Sequence, residues 1–330
     1  MEAMERKPLG RQPGVISMVA VAIGLSACNP GAREARRLAA SCSGGSAAAC
    51  DTLGQQVSRG DQVLRDWRRA SALYRQACDG DVGDGCLRLA ELRIDSRGRA
   101  HGVPLDSMVA ASLLDRACDL GTTHGCVELG VMYLERDSVV AGADSVKPEG
   151  PLQDIPRAIG LFRRACDGDG MEGCDRLGLL YRDGTGVTAD PVRAAELYRR
   201  ACDSGYQVGC AHLGEAYVAG SGVDTDPGRA ATLFEKACQT EMVACFDLAG
   251  LLESGTGVAQ DNGRAAELYE KACSGTLTRD GGSAPVPESC FRLGNMYANA
   301  TGVERNLGRA SRFFYRACSL GYEEACRKRS

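Results

Sequence analysis

The chain has 330 residues, a formal charge of −4 and a pI near 5.6, with no block of one sign apart from the short Arg327-Lys328-Arg329 end. That balance gives no electrostatic footprint for nucleic acid. Aromatic residues make up only 5% and glycines number 42, so any core must be built from Leu, Ala and closely approaching backbone.

The first readable segment is an export signal. Arg6, Lys7 and Arg11 precede an apolar run, residues 14–27 (GVISMVAVAIGLSA), which ends at Cys28. The run is too short for a membrane span and suits the apolar region of a signal peptide. Leu25-Ser26-Ala27-Cys28 resembles a bacterial lipobox. The resemblance implies that residues 1–27 are removed as a lipoprotein signal peptide and that Cys28 carries the acyl chains. Several chains give the stable tether that one cannot. Setting Cys28 aside reduces the 17 cysteines to an even number.

Further along, the dipeptide Ala-Cys recurs at Cys78, Cys118, Cys166, Cys202, Cys238, Cys273 and Cys318, at intervals of 40, 48, 36, 36, 35 and 45 residues. A unit of about 36 residues lies in the range of helical repeats. In the cleanest copy, Cys174, Leu177, Gly178 and Tyr181 form one stripe of a helix. Gly184-Thr185-Gly186-Val187 stops it, and Asp190-Pro191 opens a second helix with a capping side chain and a proline at the first helical position. The second stripe is Ala194, Leu197, Tyr198 and Ala201, and Cys202-Asp203-Ser204-Gly205 ends it. Each unit is therefore an antiparallel helical hairpin. Cys210, Leu213, Gly214 and Tyr217 pair with Ala230, Leu233, Phe234 and Ala237 in the next copy, and later copies follow suit. A small residue recurring mid-stripe lets neighbouring helices approach. Residues 95–106 and 136–154 lengthen loops inside units, and residues 274–289 lengthen the turn between two units; all three are polar or rich in Gly and Pro.

The cysteines sit at the turns between hairpins. No C-x-x-C occurs, and His101, His124 and His212 are the only histidines, so neither a metal site nor a redox pair is indicated. Regular cysteines without metal spacing point to an oxidising compartment. Cα atoms of a disulfide lie about 4.4–6.8 Å apart. Two pairings meet that limit: across a turn, or between the start and end of one hairpin. The second strands Cys42 and Cys326, whereas pairing across turns leaves no orphan. The expected bonds are Cys42–Cys50, Cys78–Cys86, Cys118–Cys126, Cys166–Cys174, Cys202–Cys210, Cys238–Cys245, Cys273–Cys290 and Cys318–Cys326.

The unit C-x-x-L-G-x-x-Y-x-x-G-x-G-V followed by R-A-A-x-L-Y-x-x-A-C resembles the Sel1-like repeat, a relative of the tetratricopeptide repeat. Cysteines eight apart at the turns resemble the bacterial Hcp-type cysteine-rich group. The copies around residues 50–78 and 86–118 match less well: Val57 stands where a Tyr is common, and Asp95-Ser96 replaces the glycine stop. The resemblance implies an all-α fold, a right-handed solenoid of antiparallel helix pairs clipped between units. Residues 28–49 would hold the lipid site, a short linker and a half-repeat; residues 50–330 would hold about seven units and a C-terminal cap.

Family members act as adaptors in envelope or secretion complexes, and stacked hairpins offer a long groove rather than a sealed pocket. The expected role is a monomeric envelope scaffold that binds an envelope or periplasmic protein and is held at the membrane through its lipid. The position two after the helix-opening cysteine carries Arg88, Glu128, Arg176, His212, Asp247 and Arg292, polar throughout but varied along the series. These positions suit a partner-reading ladder, and equally the solvated first turn of a helix. Some Hcp-type proteins are linked to β-lactams, which makes a β-lactam-binding protein or weak β-lactamase the alternative. A serine enzyme would need S-x-x-K and K-T-G; neither occurs, and Lys147, Lys236, Lys271 and Lys328 are the only lysines beyond residue 28. Glu196 and Glu267 occupy matching positions in two units, a repeated surface rather than an acid and base. Gly184-Thr185-Gly186 lacks the lysine of a phosphate loop. His124, between Cys118 and Cys126, reads as a turn residue rather than a base. No catalytic residue, metal or cofactor is expected.

Overall fold

Seven helices begin with the same cap: an Asp or Asn side chain accepts the backbone N–H three residues on. Asp66, Asp106, Asp154, Asp190, Asp226, Asp261 and Asn306 do this, each satisfying a donor that the first helical turn leaves open. These are the second helices of seven hairpins in the computed structural model, which describes residues 30–61, 63–94, 105–134, 153–275 and 284–328. Sixteen helices, and no strand, occur among the described residues.

The first helices are α2 (Ala47–Arg59), α4 (Gly83–Ile94), α6 (Thr123–Leu134), α8 (Met171–Asp183), α10 (Gln207–Ala219), α12 (Met242–Ser254) and α14 (Pro287–Asn299). Their partners are α3 (Trp67–Asp79), α5 (Ser107–Asp119), α7 (Ile155–Asp167), α9 (Pro191–Asp203), α11 (Pro227–Ala237), α13 (Asn262–Ser274) and α15 (Leu307–Ser319). Among the described residues, helix α1 (Pro30–Ser43) comes before them and a short α16 (Glu323–Arg327) after them. The first complete hairpin among the described residues opens at Ala47, just ahead of Cys50. Each helix packs on the next along the chain, the pattern of an α-solenoid. Residues 95–104, 136–152 and 276–283 of the expected loop insertions lie outside the described residues, as do the signal segment, Cys28, His101 and Lys147.

In five of the first helices the mid-stripe glycine has a specific occupant opposite it. A Cβ added to Gly54, Gly130, Gly178, Gly214 or Gly294 would lie 2.6 Å from the ring of Tyr74, Phe162, Tyr198, Phe234 or Phe314, respectively. These five rings are thus each seated on a glycine of the partner helix and buried. The buried stripe of the second helices is broader than periodicity suggested. Ala195, Ala231 and Ala266 are buried, while Leu197, Leu233 and Leu268 are only partly so, because each second helix is covered by the first helices of two units. One continuous apolar cluster runs from Cys78 to Ala325, with a smaller one beneath the first unit.

Candidate functional site

The turn between units is closed by a disulfide at each step. The bonds are Cys42–Cys50, Cys78–Cys86, Cys118–Cys126, Cys166–Cys174, Cys202–Cys210, Cys238–Cys245, Cys273–Cys290 and Cys318–Cys326, with Cα atoms 4.5–4.8 Å apart. The first cysteine ends a second helix and the next lies in the opening turn of the following first helix. The clip therefore fixes the position of the residues that follow it.

Those residues lie on the inner face. The backbones of α4 and α6, α6 and α8, and α8 and α10 approach one another directly, although a second helix separates each pair in sequence. No second helix approaches the next second helix as closely. In a curved stack the elements that crowd together are on the inside, so the first helices form the concave wall.

A register rule governs this wall. The residue directly after the helix-opening cysteine in one unit faces the residue two after it in the next. Asp51 accepts from Arg88, whose Nη1 lies 3.0 Å from both carboxylate oxygens. His212 Nδ1 lies 2.7 Å from Asp175 Oδ1. Lys328 Nζ sits 4.9 Å from the centre of the Phe291 ring. Asp51 and Asp175 are the buried carboxylates among the described residues, at 7% and 2% exposure. A buried charge needs a partner, and the neighbouring unit supplies it.

Arg88 and His212 are therefore pinned rather than freely solvated. Burial pushes His212 toward the neutral form, but the hydrogen bond and charge of Asp175 outweigh it, and its pKa is raised. Arg176 turns back to Glu172 at 3.3 Å, and Arg292 reaches Glu288 at 3.1 Å and Glu253 at 3.5 Å. Glu128 lies 3.6 Å from Nε2 of His124, whose Nδ1 is 3.3 Å from Glu172. His124 stands in the first turn of α6 rather than in the preceding turn, because the helix opens at Thr123. Its pKa is raised, chiefly by the Glu172 contact. Asp247 has no hydrogen bond or ion pair with the described residues; burial and the charges of Glu215 and Glu288 push its carboxyl up to about 7.

Asp51 and Asp175 are the functional-face residues that sequence reasoning missed. The available signal was an Asp directly after the cysteine, where the other units place Leu87, Val127, Ala211, Phe246 and Phe291. Glu196 and Glu267 are exposed on the second helices. Among the described residues no group of three or more His, Cys, Asp or Glu side chains is placed to hold a metal ion.

The Sel1 repeat model matches the chain at residues 47–82, 83–122, 146–170, 172–206, 207–239, 243–276 and 287–322. The chain belongs to the Sel1 repeat family. Sel1 repeats generally mediate protein–protein interaction. The fold of this Sel1 repeat protein is similar to that of a Sel1 repeat protein from Oxalobacter formigenes, with a TM-score of 0.68 and 22% identity over 89% of this chain and 78% of that one. It is also similar to a protective antigen of uropathogenic Escherichia coli strains displaying an SLR fold, with a TM-score of 0.65 and 23% identity over 88% of this chain and 58% of that one. Cytochrome c oxidase assembly factor 7 of Xenopus tropicalis is 32% identical over 85 residues, which are 25% of this chain and 36% of that protein. None of these relatives is named as a hydrolase, and the β-lactam alternative gains no support from them.

Eight disulfides point to an oxidising extracellular or periplasmic compartment. No helix of the described residues is long and apolar enough to cross a membrane.

Proposed function

We propose that this Sel1 repeat protein is a lipid-anchored adaptor of the cell envelope. It acts as a monomer, tethered through Cys28, and holds an envelope or periplasmic protein along the inner face of its solenoid. The observation that carries this reading is the contrast between a uniform frame and a varied wall. Clips, caps and aromatic-on-glycine seats recur along the array, whereas equivalent places on the wall carry cations at Arg88, Arg176 and Arg292, carboxylates at Glu128 and Asp247, and an imidazole at His212. A surface of this kind gives specificity through charge arrangement on a rigid support. The assembly role in the name of the Xenopus relative is compatible with holding another protein.

The test is affinity recovery from membrane extract with the oxidised chain, beside a variant in which Arg88, Arg176 and Arg292 are all changed to Ala. The reading expects a stoichiometric envelope protein, lost with the triple variant while helicity is unchanged. Equal recovery by both, or hydrolysis of a chromogenic β-lactam by the purified chain, would overturn it.

A further inference from the structure

We infer that the concave wall carries, between α10 and α14, a docking pocket for one lysine or arginine side chain within an apolar segment of the partner protein. The inference rests on the adaptor reading and adds to it the chemistry of the partner.

The first element is a cavity of about 320 Å³ lined by residues of the first helices α10, α12 and α14 and of the second helices between them. Phe246, Leu251 and Tyr269 contribute its apolar lining, and Val218, itself 43% exposed, stands at its edge. The first helices α10, α12 and α14 approach one another less closely than α4, α6, α8 and α10 do, so the wall is more open here.

Packing does not account for the residues that keep the cavity clear. Glycine in a helix interior costs about 1 kcal/mol relative to alanine. At Gly178 or Gly214 an aromatic ring occupies the space that a Cβ would fill. At Gly250 the nearest atom to an added Cβ is the Tyr269 hydroxyl, 3.9 Å away, so nothing in the fold demands glycine there. Any larger side chain at 250 would project into the pocket. By the register rule, Ala211 of the preceding unit is the residue that corresponds to Asp247. It stands where other units place Asp, Leu, Val or Phe, and it offers Asp247 neither a charge nor a covering side chain.

Charge then selects the occupant. Asp247 and Glu215 line the cavity, and Glu288 is close enough to act on Asp247. The positive group at the rim, Arg292, is engaged by Glu288 and by Glu253, which also accepts the Tyr269 hydroxyl at 2.7 Å. Arg182, 3.9 Å from Glu215, is held more closely by Asp183 at 2.7 Å. A carboxylate without a partner beside aromatic walls suits a basic side chain, whose stem is apolar and whose head is cationic. The raised pKa of Asp247 has the same meaning: an incoming cation removes the penalty on the charged form. Binding should therefore tighten as pH rises through about 7.

The probe is a fluorescein-labelled Gly-Ala-Leu-Lys-Leu-Ala-Gly peptide, compared with one carrying norleucine in place of lysine, in anisotropy titrations against the oxidised chain. Norleucine keeps the stem and removes the charge, and should weaken binding at least about tenfold, the scale of one partly desolvated charge contact. Asp247→Asn should weaken the lysine peptide comparably, Gly250→Leu should abolish binding, and Glu196→Ala, exposed on the second helix α9, should leave it unchanged. Circular dichroism checks that each variant keeps its helices. Between pH 6 and 8 the lysine peptide should gain up to about tenfold in affinity, a gain absent in Asp247→Asn. Equal binding of the two peptides, unchanged binding by Gly250→Leu, or no saturable binding at millimolar concentration would each overturn the proposal. So would tight binding of free spermidine without any of the peptide, which would reassign the pocket to a small polyamine. If the peptide fails while the triple arginine variant still loses its envelope protein, the adaptor reading stands without the pocket.

Discussion

The contact between Asp175 and His212 offers a sharp test of how the inner wall is built. Replacing His212 with Leu leaves a carboxylate of 2% exposure with no cation. Breaking a buried pair from one side costs about 3–5 kcal/mol. Replacing Asp175 with Val instead leaves a histidine whose side chain is 19% exposed and which can stay neutral, so the cost should be about 1 kcal/mol. The double variant replaces the pair by apolar groups, as Val127 does in the preceding unit, and should come within about 1 kcal/mol of the original. The cycle then gives a coupling of about 4 kcal/mol. Because a solenoid opens locally, the assay is native-state hydrogen exchange of α8 and α10 in the oxidised chain, read beside the urea midpoint. His212→Leu should accelerate exchange there by about a thousandfold, since each 1.4 kcal/mol is a factor of ten. The pH dependence has a definite sign. The pKa of His212 is raised in the folded chain, so the stability it contributes is full below its ordinary value of 6.5 and is lost as pH rises through the folded value. The gap between the original chain and the double variant should move accordingly. A cost below 1 kcal/mol for His212→Leu, or a double variant as unstable as that single one, would refute the register rule.

Three further outcomes are expected. Changing both Cys166 and Cys174 to Ser should lower stability by about 2–3 kcal/mol, the chain-entropy value for a loop of this size, and the unaltered oxidised chain should show no titratable thiol from the clips; eight or more free thiols would sink the clipped solenoid. Gly178→Ala should destabilise by more than 1 kcal/mol because its methyl group meets the Tyr198 ring, whereas Gly250→Ala should be neutral or stabilising by up to about 1 kcal/mol, both read from urea midpoints. Cys28→Ser should abolish incorporation of labelled palmitate and release the chain from membranes; unchanged labelling would remove Cys28 as the lipid site.

The hairpins were legible because their determinants are local. Asp190-Pro191 declares a helix start, Gly184-Thr185-Gly186 a stop, and the recurring Ala-Cys a period. The clip positions followed from the same regularity. The role of the mid-stripe glycines was only half visible: close approach could be inferred from Gly178, but not that the Tyr198 ring is what approaches. The inner wall was less visible still. Arg88 and His212 could be singled out as polar first-turn positions, but their partners Asp51 and Asp175 lie a unit away, 37 residues earlier in each case. Pairing across that distance depends on how one hairpin stacks on the next. Once the register is known it can be read back, because an Asp after the cysteine is the exception among apolar neighbours. The pocket at Asp247 depends on three residues from separate helices together with the spreading of those helices, and no local pattern encodes that.

The combinations found along the wall bear on what the wall is for. Stability alone would favour an apolar residue in one unit beneath a long cation in the next, as with Phe291 and Lys328, because buried ion pairs are rarely more stable than apolar packing. Asp175 with His212 departs from that solution but is satisfied by its own contact. Ala211 with Asp247 departs further: a small residue lies opposite a carboxylate that is partly buried, repelled by Glu215 and Glu288 and left without a partner. The clip at this step closes with Cα atoms 4.6 Å apart, against 4.5 and 4.8 Å at the neighbouring steps, which carry different residues, so the clip geometry does not require this arrangement. A position that weakens the folded chain and serves no packing need marks where a ligand completes the structure. The missing component at this step is a positive charge, and a binding partner is the available source.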